Sequence, residues 1–360
     1  MTDLTDKTSL SPGEQHTKPA AFFQEVYEAF LLAEQAVGGA IDRFYEVGGF
    51  TIRLRFAGPA LIPFITPALE HLAAMPVPAP TLTICLWDSV STRTEMPPCP
   101  WTANDYIARA EVRGYSGEHI HTAFYLGSGI LHMLDTTLNV ALLWIRDASL
   151  VPYFESAAPL RPILHWWMGN HGRQLVHGGA VGTSEGGVLL TGKGGSGKST
   201  TALACLHSKL AYAGDDYCLV AIDPVPYAYS LYNSAKLDAD GVRRLLHLAT
   251  AISNADRLDA EKALLFLHEC YPERIATGFP VRVILVPRVT GQWETRLTAA
   301  SPMMALRALA PSTILRLSGA GSKDFQAMAK FVKRVPCYTL ELGADLNRVP
   351  DVILRLLSES

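Results

Sequence analysis

Three groups of residues in this chain have types and spacing suited to chemistry on phosphate. The first, Gly192-Lys193-Gly194-Gly195-Ser196-Gly197-Lys198-Ser199, satisfies G-x-x-x-x-G-K-[ST] at every position. Glycines in such a loop let backbone N–H groups turn inward around an anion without Cβ clashes. A helix starting at Lys198 aims its positive end at the same anion. Lys198 supplies a mobile point charge for β- and γ-phosphates, and the Ser199 hydroxyl is a ligand for Mg²⁺. The apolar run 187–191 before the loop reads as a buried strand, and 199–210 after it as a helix. That context favours a nucleotide cradle over a chance glycine-rich turn, with residues 192–200, Thr200 included, as its contacts.

The second group is Asp215-Asp216, at the end of the short apolar stretch that follows the P-loop helix. Adjacent carboxylates there can divide the labour, one holding Mg²⁺ through water, the other accepting the proton of an attacking hydroxyl. Gly-Asp-Asp is also good turn chemistry, but the neighbouring cradle favours the chemical reading. The third is His177, in Leu-Val-His-Gly-Gly, which is expected to end the strand before the P-loop strand. Adjacent strands would carry it towards the phosphates; a structural histidine is the equal alternative.

The elements that must position these groups follow from periodicity. Residues 21–38 have helical apolar spacing, and several strand-like runs between about 50 and 147 are separated by Gly, Asp and Pro. The segment 59–75 is read as a helix between two of these strands. Residues 174–181 and 187–191 read as two strands around a Gly-Thr-Ser-Glu-Gly-Gly turn. Beyond the P-loop helix come strand-like runs at 211–216 and 217–223, a strand at 281–287, helices at 302–317 and 323–335, a strand at 337–342 and a last helix near 346–358. The expected organisation is a tail over 1–20, a β-rich α+β domain over 21–157, a connecting helix over 158–171, and an α/β domain with the P-loop over 172–360.

Composition narrows the classes. The chain has 360 residues, of which 49% are hydrophobic and 18% charged, a globular balance able to bury a sizeable core. A formal net charge of −3 gives no basic footprint for nucleic acid or an anionic membrane. No apolar run reaches the roughly 18–20 residues a spanning helix needs. The polar start has no signal-peptide pattern. The six cysteines are scattered without a CxxC pair, which fits a reduced, cytoplasmic protein.

The combination of Val176-His177-Gly178, the P-loop and Asp215-Asp216 resembles the catalytic domain of HPr kinase/phosphorylase and the wider set of HPr-kinase-like proteins, including lasso-peptide-associated kinases. The resemblance covers roughly residues 174–222. It implies a phosphoenolpyruvate-carboxykinase-like α/β fold and ATP- and Mg²⁺-dependent phosphorylation of a serine hydroxyl on a peptide or protein. It also implies roles: His177 and Lys198 at the phosphates, Ser199 and Asp215 on Mg²⁺, and Asp216, with Asp215 close behind, as the base. Relatives are often oligomeric, so a homo-oligomer is the corresponding expectation.

The chain also departs from the family. Thr200 stands where HPr kinases carry a glutamate. The region corresponding to their Glu-Ile-Arg-Gly strand, residues 228–241, holds no glutamate, and Lys236 is its candidate phosphate contact or a solvated surface lysine. These departures point away from HPr as the acceptor. A kinase for a small molecule such as free serine, and a nucleotide-binding regulator without an acceptor, are the alternative readings. Ser234–Asp238 lacks the Asn or Thr of a guanine-reading motif, and 317–321 reads as a loop between helices. His119 and His121 share a strand face without a third ligand. Arg282, Arg288 and Arg316 all lie where one of them could reach a transferred phosphate.

Overall fold

The computed structural model describes residues 18–359, a mixed α/β chain with several sheets. Most of the expected tail lies outside the described residues; Lys18, Pro19 and Ala20 open a helix, Lys18–Ala36. The chain divides into two compact units. Of the described residues, one contains 18–65, 74–152 and 160–167; the other contains 66–73, 153–159 and 168–359.

In the first unit, the Lys18–Ala36 helix buries Phe22, Phe23, Val26, Ala29, Phe30 and Ala33, the stripe its spacing demands. The unit's sheet comprises β1 (Ala40–Val47), β2 (Phe50–Ala57), β3 (Leu82–Asp88), β4 (Ile120–Tyr125), β5 (Ile130–Asp135) and β6 (Val140–Ile145) in the order β1-β2-β3-β6-β5-β4. Its central pairs, β2 with β3 and β3 with β6, are parallel. His121 stacks on Trp166 with ring centroids 5.4 Å apart. Among the described residues no group of three or more His, Cys, Asp or Glu is arranged as a metal site.

The expected helix over 59–75 is instead two short pieces, Ile62–Ile65 and a 3₁₀ turn Pro67–Leu72. Pro67 cannot donate into a continuing helix, so it starts the second piece. That second piece belongs to the P-loop unit. Asn233 Nδ2 donates to Pro67 O at 2.7 Å, and His71 Nε2 lies 2.7 Å from Ser230 Oγ. Residues 153–159 are held there likewise: the Tyr232 hydroxyl donates to Pro159 O at 2.7 Å, and Ser234 Oγ donates to Ala157 O.

The P-loop unit contains β7 (Gln174–Val176), β8 (Gly178–Thr183), β9 (Gly186–Thr191), β10 (Ala211–Gly214), β11 (Cys218–Ala221), β12 (Tyr227–Ser230), β13 (Ser234–Leu237), β14 (Ala263–Phe266), β15 (Gly278–Val289), β16 (Arg296–Ala300) and β17 (Cys337–Leu342). The main path runs β10-β8-β9-β15-β12-β11-β7, with β17 on β15 and β16 on β17. β13 and β14 form a separate ribbon. The long β15 serves two neighbourhoods. Its start pairs antiparallel with β12, and its later part runs parallel to β9 on one side and β17 on the other.

The P-loop strand β9 is buried throughout because both faces are covered. Val188 and Leu190 pack with Ala202 and Leu203 of the P-loop helix and with Ile353 of the final helix, Val349–Glu359. Leu189 packs on the other face with Leu309, Met328 and Phe331 from the helices Pro302–Ile314 and Ser322–Val332. Burying each such side chain contributes about 1.5–3 kcal/mol, so the loop hangs from one of the best-anchored strands in the unit. None of the six cysteines is in a disulfide. Among the described residues no helix is long and apolar enough to cross a membrane.

Candidate functional site

The phosphate-type loop leaves β9 at Thr191 and enters the helix Lys198–Ala204. Gly195 (φ +76°) and Gly197 (φ +102°) occupy the left-handed region, where a Cβ is strained. At Gly197 a Cβ would also run into Leu342 Cδ1, so this position strongly favours glycine. Lys198 is buried and folds back on the loop, its Nζ donating to Gly192 O at 2.8 Å and Lys193 O at 3.4 Å. Burial pulls its pKa below the usual lysine value, with Asp216 and Asp215 working in the other direction.

His177 sits between β7 and β8 rather than at the end of one continuous strand, which corrects the expectation for 174–181. β7 pairs with β11 and β8 with β9, so the chain changes partners at this residue. The two strands stand near opposite ends of the sheet path and are joined by one residue, so the path curls back on itself at His177. The glycines after it have a packing reason. A Cβ on Gly178 would lie 2.9 Å from Leu190 O, and one on Gly179 only 3.0 Å from Asp215 Cα. The Gly-Gly pair thus lets β8 press against both the P-loop strand and the Asp-Asp backbone.

Asp216 is held from two sides. Its Oδ1 accepts from His177 Nε2 at 2.8 Å, and its Oδ2 lies 2.6 Å from Lys236 Nζ on β13. Burial alone would raise the Asp216 pKa, but Lys236 and His177 together hold it well below the ordinary carboxylate range. An ionised carboxylate only accepts, so the proton of a neutral His177 sits on Nε2. Burial lowers the His177 pKa against the pull of Asp216, and Nδ1 has no hydrogen-bond partner. Lys236 is a deeply set ion-pair partner, raised above its ordinary pKa by Asp216 against the effect of burial.

Asp215 has the opposite environment. It is buried behind Asp216, and neither carboxylate oxygen makes a well-aligned hydrogen bond. Burial and the neighbouring Asp216 charge raise its pKa to about 6, although Ser199 and Lys236 favour the charged form. Two adjacent carboxylates are thereby driven apart, one firmly ionised and the other readily protonated.

Several of these residues share a cavity of about 290 Å³. His177, Lys198, Ser199, Asp216, Lys236 and Arg316 line it, with Gly194, Gly195, Gly197 and Thr200 from the loop and helix start. Gly192, Lys193, Ser196 and Asp215 are not on its wall. Four cations, Lys198, Lys236, Lys262 and Arg316, face two wall carboxylates, Asp216 and Asp238, which favours an anionic ligand.

Of the three arginines considered, Arg316 alone lines the cavity. Arg282 is instead engaged with Glu185 O at 3.3–3.4 Å. Lys262, Tyr153 and Phe154 were not singled out in the sequence, and Asp238 was considered only within the rejected guanine-reading motif. They come from separate segments with no motif of their own; only the Asp238 cap on the following helix had a local signal.

No family model and no curated protein sequence matches the chain. Among solved structures, the chain is similar to the HPr(Ser) kinase/phosphatase from Coxiella burnetii, at 11% identity with a TM-score of 0.30. The match covers 52% of this chain and 99% of that one, and at this level it does not bear on activity or substrate.

Proposed function

We propose that the protein is an ATP- and Mg²⁺-dependent kinase that transfers the γ-phosphate to a serine hydroxyl of a peptide or protein. The observation that carries this reading is one cationic cavity walled by Lys198, Ser199 and Asp216, with the second carboxylate, Asp215, buried next to Asp216 in the chain. The buried oxygens of Asp215, which make no well-aligned hydrogen bond and lie near Ser199, fit a hard cation, which takes oxygen ligands. Ser199 and Asp215 would hold Mg²⁺, which neutralises charge on β- and γ-phosphate oxygens when bound.

The loop N–H groups and Lys198 would hold the phosphates, Lys198 exchanging its carbonyl contacts for phosphate oxygens. Lys236 and Arg316 would stabilise charge on the group in flight. Asp216, held by His177 and Lys236, would orient the acceptor hydroxyl and take its proton. A loose transition state asks little of the base until late, so a carboxylate of low pKa is adequate. Tyr153 and Phe154 give the acceptor an apolar wall.

The double hold on Asp216 also favours a second reading, a nucleotide-binding regulator without an acceptor. Incubation with ATP, Mg²⁺ and a peptide or protein pool separates the two. Kinase action predicts phosphoserine formed by wild type and lost in Asp216→Asn and Lys198→Ala. Tight ATP binding with no labelled acceptor under any condition would sink the kinase reading.

A further inference from the structure

We propose that a second cavity beside the P-loop helix holds the base of the nucleotide, with Trp293 as its stacking platform. This rests on the nucleotide-binding part of the reading above. The cavity, of about 530 Å³, is lined by residues that include Ala204, His207, Arg244, Trp293, Asp345 and Asn347.

Its place in the fold is the first argument. β9, β15 and β17 run parallel, and ligands of such sheets sit in the crevice beyond the carboxyl ends of the strands. The phosphate loop follows β9, Trp293 follows β15, and Asp345 and Asn347 follow β17. Leu342 and Val289, the last residues of β17 and β15, lie against the place a Gly197 Cβ would occupy, so the ends of these two strands abut the P-loop. The P-loop helix and its 3₁₀ continuation give the same direction. Thr200, Ala204 and His207 fall at i, i+4 and i+7 on one face. Thr200 lines the phosphate cavity and Ala204, about 6 Å further along the axis, lines the second.

The chemistry of the wall is the second argument. Trp293 is 69% exposed, the only tryptophan among the described residues that is not buried. Its loop is nonetheless fixed. Thr290 donates to Leu342 O through N–H at 3.2 Å and Oγ1 at 3.0 Å, and Ala344 N–H donates to Gln292 O at 2.8 Å. Gly343 packs against Trp293 O with no room for a Cβ. An exposed indole on an anchored backbone, beside polar groups, suits a flat heteroaromatic ligand. The Asn347 amide can donate and accept, and the Asp345 carboxylate, which already accepts from Asn347 N–H at 3.2 Å and lies 3.5 Å from Arg348 Nε, keeps further lone pairs for the amine-bearing edge of adenine.

Calorimetry with Mg²⁺ and either ATP or inorganic tripolyphosphate separates base from phosphate recognition. Wild type should bind ATP more tightly than tripolyphosphate, with ATP alone quenching the Trp293 fluorescence. Trp293→Ala should weaken ATP about tenfold and leave tripolyphosphate unchanged. Ala204→Phe, which fills the cavity from the helix side, should do the same. If both variants bind ATP as wild type does, the base lies elsewhere and this inference fails alone. If wild type binds neither compound, the phosphate-site reading fails with it.

Discussion

Replacing Asp215 by Asn should make the protein more stable relative to wild type as pH rises. Asp215 is buried without a well-aligned hydrogen bond beside a carboxylate that is firmly ionised. Its pKa moves from 3.8 in the unfolded chain to about 6 in the fold. For a group raised on folding, the stability contribution is complete below the unfolded value and is lost as pH rises through the folded one. The loss therefore develops between about pH 4 and 6 and is complete by pH 7. At 1.36 kcal/mol per pKa unit it amounts to at most about 3 kcal/mol. Asparagine carries no charge and escapes this loss, so urea unfolding at pH 3.5, 5, 6 and 7.5 should show the variant gaining on wild type by up to that amount. Asp216 works in the opposite sense. Its lowered pKa gives stability above the unfolded value near 3.8, lost only as pH falls through its folded value, below this window. A bound Mg²⁺·ATP should narrow the difference, stabilising wild type by about 2.7 kcal/mol at a hundred times Kd and the variant by less. A stability difference that stays constant from pH 3.5 to 7.5 would refute the account of Asp215 as a buried, uncompensated carboxylate.

Three further variants test the same geometry. Lys236→Met removes the cation 2.6 Å from Asp216. Removing one partner of a buried pair costs about 3–5 kcal/mol; partial exposure and the remaining His177 contact reduce this to about 2 kcal/mol, measurable by urea unfolding. The Asp216 pKa should rise in that variant, so the acid limb of its pH–activity profile should move to higher pH; an unmoved limb would exclude Lys236 as the controlling charge. Gly197→Ala should cost at least about 2 kcal/mol, since it forces a Cβ into the left-handed region and against Leu342. Gly194→Ala, whose Cβ would meet nothing within 4 Å, should leave stability within about 0.5 kcal/mol of wild type.

The parts of the site legible in the sequence are those whose geometry is set by near neighbours along the chain. A strand, a glycine loop and a helix within about twenty residues give the cradle its form through local backbone chemistry, as Gly195 and Gly197 illustrate. The alternation of strands and helices after residue 172 likewise announced a mixed α/β unit, because apolar spacing is a local record of burial. The same local record misled at 174–181, where one apolar run holds two strands that pair with different partners, and at 59–75, where Pro67 divides the expected helix.

What only the tertiary structure decided is the company each group keeps. No spacing rule links Lys236 to Asp216, or selects Arg316 over Arg282 and Arg288, because those contacts arise when a curled sheet and a separate ribbon converge. The same holds for the differing pKa values of Asp215 and Asp216. Sequence supplies two identical neighbours, and desolvation, His177 and Lys236 make them unlike. Residue type and local order determine which groups are available for chemistry here, whereas burial and long-range charge, both properties of the folded chain, determine what each can do.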